Sequence, residues 1–74
     1  LKVKVKLFAT FRKGRFKEEI FDYPEGTKVE DVVKQLSLPV KELGIIFING
    51  KHVSLEAKLR EGDVLSIFPL VGGG

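Results

Sequence analysis

Lys2-Val3-Lys4-Val5-Lys6-Leu7 alternates charge and hydrocarbon without a break. Side chains of a strand point to opposite faces in turn, so Val3, Val5 and Leu7 share one face and the lysines share the other. Such a strand belongs in a sheet that is covered on one side and solvated on the other. The lysines also oppose edge-to-edge association. Phe8-Ala9-Thr10-Phe11 is expected to carry the strand to its end, and Arg12-Lys13-Gly14-Arg15 is a polar break long enough for a hairpin loop.

The return strand is expected from about Phe16 to Tyr23, with Phe21 and Tyr23 facing the core and Phe16 and Ile20 facing away. Pro24-Glu25-Gly26 ends it, because proline removes a ladder donor. Thr27-Lys28-Val29-Glu30 has the spacing of a capping box that starts a helix, and Glu30 and Asp31 suit its positive end. Val29, Val32, Val33 and Leu36 fall at i, i+3, i+4 and i+7, one apolar stripe. Valines are mediocre helix formers, so packing on a sheet must hold this helix, which Pro39 is expected to stop.

After a connection over Val40–Gly44, Ile45-Ile46-Phe47-Ile48 is a continuous apolar run, expected as a strand buried on both faces. Asn49-Gly50 is a strong two-residue hairpin signal, and Lys51-His52-Val53 is the brief return. Leu55 and Leu59 are expected core anchors. Glu61-Gly62-Asp63 turns into a final strand, Val64 to Leu70, with Leu65 and Ile67 inward. The order β-β-α-β-β-β places the last strand where it can pair parallel with the first. The expected class is α+β: one helix laid across a mixed sheet of about five strands, a ubiquitin-like β-grasp.

A chain of 74 residues makes one domain. Without cysteine it has no disulfide, thiolate metal site or thiol nucleophile, and a single histidine, His52, makes no histidine metal site. Metal: none is the expectation. The 43% hydrophobic and 31% charged content is that of a folded soluble chain. No apolar run approaches the ~20 residues that span a bilayer, and no leader pattern opens the chain, so a cytoplasmic protein without a membrane partner is expected. The net charge of +3 is too mild to argue for nucleic acid.

The chain closes on Gly72-Gly73-Gly74. Glycines lose the most backbone entropy on ordering, so residues 72–74 are expected as a flexible tail behind a domain of residues 1–71. The chain resembles the small sulfur carriers: the small subunit of molybdopterin synthase (MoaD) and the thiamine-pathway carrier ThiS. Four segments carry the resemblance: Leu7-Phe8-Ala9, Tyr23-Pro24-Glu25-Gly26-Thr27 with Val29-Glu30-Asp31, Ile48-Asn49-Gly50, and Leu59-Arg60-Glu61-Gly62-Asp63-Val64 through Phe68-Pro69 to the terminal glycines. Phe68-Pro69 leans to the molybdopterin branch. The third glycine, and Leu70 where that branch often has a second proline, depart from it.

The resemblance implies that an E1-like adenylyltransferase (MoeB/ThiF type) spends ATP to adenylate the Gly74 carboxylate, which then becomes a thiocarboxylate. It implies a second partner that accepts the sulfur: a large molybdopterin synthase subunit (MoaE type) or thiazole synthase. On this reading the chain binds no cofactor and is a co-substrate, not an enzyme. Gly72 and Gly73 supply reach, since three extended residues span roughly 10 Å. Pro69 restricts the backbone ahead of them. Phe68 faces away from Leu65 and Ile67, either as a docking anchor with Leu70 and Pro69 or packed on Phe8 or Phe47. Lys2, Lys4, Lys6, Arg12, Lys13, Arg15 and Lys17 form either a surface for an acidic partner or a solvated face. Asp63 is expected to shape its turn and His52 to be an exposed strand residue. A ubiquitin-like modifier of lysines is the alternative in the same class. A structural or RNA-binding module indifferent to its tail is the alternative outside it.

Overall fold

The computed structural model describes residues 1–70. The tail expected at Gly72, Gly73 and Gly74 lies outside the described residues. β1 (Lys2–Leu7), β2 (Glu18–Asp22), the helix α1 (Val29–Gln35), β3 (Leu43–Ile48), β4 (Lys51–His52) and β5 (Val64–Pro69) follow in that order. The sheet runs β2-β1-β5-β3-β4, so β1 and β5 sit at its centre. β1 pairs parallel with β5, from Lys4 opposite Val64 to Leu7 opposite Ile67, and the other pairings are antiparallel. This is the β-grasp expected from the order of elements.

The core lies between α1 and one face of the sheet. Val3, Val5, Leu7, Leu65 and Ile67 have no exposed surface, and Val29, Val32 and Val33 of α1 close over them. Leu38, Ile46, Leu59 and Phe11 complete the cluster, with Leu36 and Leu55 packed at its margin. A helix of seven residues does not hold itself together in water. Tertiary bonds hold it at both ends. The Val29 and Glu30 amides donate to the carbonyls of Ala57 (3.0 Å) and Leu55 (2.9 Å), which satisfies donors that the first turn leaves free. At the other end the Arg15 guanidinium donates to the carbonyls of Leu36 (3.1 Å), Ser37 (3.2 Å) and Phe11 (3.3 Å). A cation on the last carbonyls of a helix also opposes its dipole.

Several local expectations change. The helix start is one residue later than Thr27/Glu30 and only half of a capping box forms: Asp31 accepts from the Lys28 amide at 2.8 Å, while the Thr27 hydroxyl donates to the Pro24 carbonyl. α1 ends at Gln35, before Pro39, where Ser37 takes a left-handed φ of 54°. Ala9–Arg12 is a 3-10 turn, which swings Phe11 into the core instead of extending β1. β2 starts at Glu18, and Phe16 curls onto the core side, 5.5 Å from the Phe21 ring.

β3 is not buried on both faces: Ile46 is buried, whereas Ile45 is 39% exposed. Its register explains why. Leu43 opposes Pro69 and Ile46 opposes Ile67, so β3 spends three steps where β5 spends two. The extra residue is a β-bulge. It returns both Leu43 and Ile46 to the covered face, which strict alternation would not do. Gly44 sits in the bulge, and a Cβ there would lie 2.5 Å from the Pro69 carbonyl oxygen and 2.9 Å from the Leu70 nitrogen.

Gly44→Ala must therefore push backbone aside. Its expected cost lies in the upper part of about 1–3 kcal/mol, seen as a lower Tm. Gly14→Ala meets no atom within 4 Å and carries only the penalty of its φ of 72°, about 1 kcal/mol. Equal losses for the two would contradict the contact at Gly44. At the seam of β2 and α1 the Tyr23 hydroxyl donates to Gln35 Oε1 at 2.6 Å. Burial, with a smaller push from the Glu19 carboxylate, raises the Tyr23 pKa from 10.0 to about 12. The unfolded chain then ionises Tyr23 first. Stability attributable to this group is constant below pH 10 and falls between pH 10 and about 12. A tyrosinate absorbance titration should give that late midpoint, and Glu19→Gln should bring it down. A midpoint near 10 would refute the burial.

Candidate functional site

β5 leads directly to the segment of interest. Leu65, Ile67 and Pro69 are buried on the helix side, which turns Val64, Ser66 and Phe68 to the open face. Among the described residues the last is Leu70, whose amide donates to the Glu42 carbonyl at 2.8 Å while its side chain stays 62% exposed. The chain is thus held by a backbone hydrogen bond at the residue where the described structure ends. Pro69 is buried against β3, so its expected part in partner contact falls to fixing the backbone; its ring does not form surface.

Phe68 packs on Phe8 and Phe47, as one of the two readings of the sequence had it, and it remains half-exposed. Its ring stacks on Phe8 with centroids 4.0 Å apart and planes 9° from parallel, and meets the Phe47 ring edge-on at 5.8 Å and 89°. The Arg12 guanidinium lies 5.2 Å from the Phe8 centroid and is held there by donating Nε–H to the Leu7 carbonyl at 2.7 Å. Exposed His52 flanks the far side, 6.2 Å from Phe47. With Ile45 and Leu70, these residues make an apolar, aromatic patch on the open face beside the exit of β5. Partner surfaces favour such half-exposed aromatics.

The basic residues do not act as one group. Arg15 is committed to the end of α1, Arg12 to Phe8, and Lys4 to Glu18 at 3.7 Å. Lys2 and Lys6 lie on the open face, and Lys13 and Lys17 are exposed in the loop before β2. Asp63 shapes its turn, as expected. It is 8% exposed and accepts from the Arg60 amide (2.8 Å) and Asn49 Nδ2 (2.9 Å). Asn49 Oδ1 accepts in turn from the Val64 amide at 2.9 Å. The hairpin tip, with φ of 50° at Asn49 and 81° at Gly50, is thereby tied to the start of β5. The two turns were each visible in the sequence, but the bonds between them were not.

The sequence matches the ThiS family over residues 5–74. The chain belongs to the ThiS family. Among solved structures it is similar to a Pyrococcus furiosus protein provisionally named molybdopterin converting factor, subunit 1, with 35% identity, a TM-score of 0.75, and 93% of this chain and 97% of that one covered. Small archaeal modifier protein 1 of Haloferax volcanii shares the fold at 23% identity and a TM-score of 0.74, with 92% and 95% covered. So does the Helicobacter pylori complex of molybdopterin-converting factor subunits 1 and 2, at 20% identity and a TM-score of 0.68, with both chains fully covered. This ThiS-family chain is thus a small protein with the ubiquitin-like β-grasp fold, of the ThiS/MoaD type. Among the described residues no helix is long and apolar enough to cross a membrane.

Truncating Phe68 removes a stacked and an edge-on contact from a half-exposed site. Phe68→Ala is expected to keep the fold and lose about 1–2 kcal/mol in denaturant unfolding, against about 3–5 for a buried phenylalanine. A larger loss would mean that the ring belongs to the core and not to the surface.

Proposed function

We propose that this ThiS-family protein carries sulfur on the carboxylate of Gly74, as the small subunit of a molybdopterin synthase. The observation that carries the reading is that the family match runs through the terminal glycines to Gly74. The 35% identity to a protein named as a molybdopterin converting factor subunit supports the branch. In the proposed cycle an E1-like enzyme attacks ATP with the Gly74 carboxylate, forming an acyl adenylate and pyrophosphate. A sulfur nucleophile supplied by a partner displaces AMP and leaves the thiocarboxylate. The large subunit then receives the sulfur, and the H. pylori complex of subunits 1 and 2 is the precedent for such a pairing.

Each part of the chain has a role in this cycle. Glycines at 72–74 present a carbonyl without side-chain crowding and can enter a narrow channel. The anchored Leu70 and buried Pro69 set where that segment leaves the domain. Phe68, Leu70 and the aromatic patch supply the docking area. The ATP and the catalytic groups belong to the partners, and the chain is a co-substrate. The third glycine favours a second branch, a thiamine-pathway carrier that hands sulfur to thiazole synthase.

Incubation with ATP, a sulfur source and the cognate E1-like enzyme should yield an intact mass shifted by one oxygen-to-sulfur exchange at Gly74. A chain lacking Gly73 and Gly74 should stay folded and show no exchange. Phe68→Ala should weaken partner binding by roughly 2 kcal/mol or more if it is an anchor. Neither adenylate nor exchange with a competent enzyme would overturn the carrier reading. Capture of thiazole synthase in place of a large synthase subunit would move the protein to the second branch.

A further inference from the structure

β2 is an edge strand with one ladder, to β1, and its other side is open among the described residues. The hydrogen-bond phase of that ladder fixes which groups point outward. Tyr23 exchanges bonds with Leu1 (2.7 and 2.6 Å) and the Leu7 amide donates to the Lys17 carbonyl (3.0 Å), so 17, 19, 21 and 23 face β1. The amides and carbonyls of Glu18, Ile20 and Asp22 therefore point to the free edge. The strand holds no proline.

The side chains beside this edge form two rows. On the open face are Glu18, 61%-exposed Ile20 and Asp22. On the helix face the half-buried rings of Phe16, Phe21 and Tyr23 run together, with centroids 5.5 and 5.7 Å apart. They end at a shallow hollow lined by Asp22, Tyr23, Pro24, Thr27, Asp31 and Gln35. The edge is thus acidic in a chain of net charge +3. Glu18 meets Lys4 and Asp22 meets the Leu1 amine at long, exposed contacts of 3.7 and 3.3 Å, which leave both carboxylates open to further partners.

We propose that the outer edge of β2 is a strand-addition site for a basic extended peptide that alternates lysine or arginine with aliphatic residues. The specificity is the one that β2 already accepts on its inner side. β1 presents Lys2, Lys4 and Lys6 to the open face and Val3, Val5 and Leu7 to the helix face. A second strand of that pattern would put cations beside Glu18 and Asp22 and aliphatic groups along the aromatic row, with main-chain bonds to Glu18, Ile20 and Asp22. A second copy of this chain does not fit. Antiparallel pairing of two β2 edges about Ile20 sets Glu18 against Asp22, and like charges placed opposite repel. The site is the free side of the edge strand β2, whereas the aromatic patch lies on the open face over β5 and β3. The site goes beyond the proposed sulfur chemistry.

The test uses the isolated full chain and a labelled, end-blocked peptide Lys-Val-Lys-Val-Lys-Leu. Amide shifts and new exchange protection should centre on Glu18, Ile20 and Asp22. Ile20→Pro removes an outward amide and no inner ladder bond, so it should abolish binding while the Val3 and Val5 amides stay protected. Glu18→Lys with Asp22→Lys keeps the backbone intact and should weaken binding about tenfold, the yield of two exposed charge pairs. The proposal is overturned by perturbation centred on Phe8, Phe47 and Phe68, by equal response to a Glu-Val-Glu-Val-Glu-Leu peptide, by no response at millimolar peptide, or by self-association of the chain through the same amides.

Discussion

The parallel pairing of β1 with β5 is the contact on which the other elements depend. It joins the first and last strands of the chain and places Val5 and Leu7 beside Leu65 and Ile67, all fully buried. β2 hangs on one side of this pair and β3 on the other, and α1 has nothing to cover until both strands are present. A parallel ladder between chain ends closes a long loop before it returns any contact energy. The local hairpins cannot replace it, since two strands alone are marginal in water. The domain should therefore fold as one cooperative unit, at a rate set by this distant pairing.

A small domain has little apolar surface to bury, and here polar contacts hold together what the core does not. They share a form. In each, one side chain bonds backbone groups from a segment far away in sequence. Arg15 ties the first loop to the end of α1, and Asn49 with Asp63 ties the β3–β4 tip to the entrance of β5. Each includes a bond with a charged partner, the Arg15 guanidinium or the Asp63 carboxylate, and such bonds are stronger than neutral ones. They also separate the two uses of charge in the chain. Arg15 and Asp63 are committed to bonds within the fold, whereas most lysines remain at the surface.

The sequence announced what depends on pattern and left out what depends on packing between segments. Strict alternation in Lys2–Leu7, the valine stripe of α1, the Asn49-Gly50 tip and the inward Leu65 and Ile67 were all legible, because each follows from a local period or a turn rule. The bulge at Gly44 was not, since an extra residue in one strand has meaning only against its partner. Phe11 was expected at the end of β1 and lies in a 3-10 turn, and Phe16 was expected to face away within β2 but precedes the strand, where a period of two does not assign faces. The helix start moved by one residue: Lys28 takes the N-cap position and Asp31, not Glu30, accepts its amide. At the candidate site Phe68 was legible as an outward aromatic. Its stack on Phe8 required knowing that the end of β1 lies beside β5. The demotion of Pro69 from surface to interior came from the same cross-strand fit with Leu43.

That fit has a consequence for how mutations in this protein would be read. The backbone of Pro69 and Leu70 rests against the bare α-carbon of Gly44, and the Glu42 carbonyl holds the Leu70 amide. The direction in which the chain leaves the domain is therefore written into β3, in a segment that has no chemistry of its own. A side chain gained at Gly44 would leave every terminal residue intact and yet displace the backbone of Pro69 and Leu70 that precedes them. In a genetic screen for loss of terminal function, such a lesion would map to the scaffold while behaving as a fault in the tail.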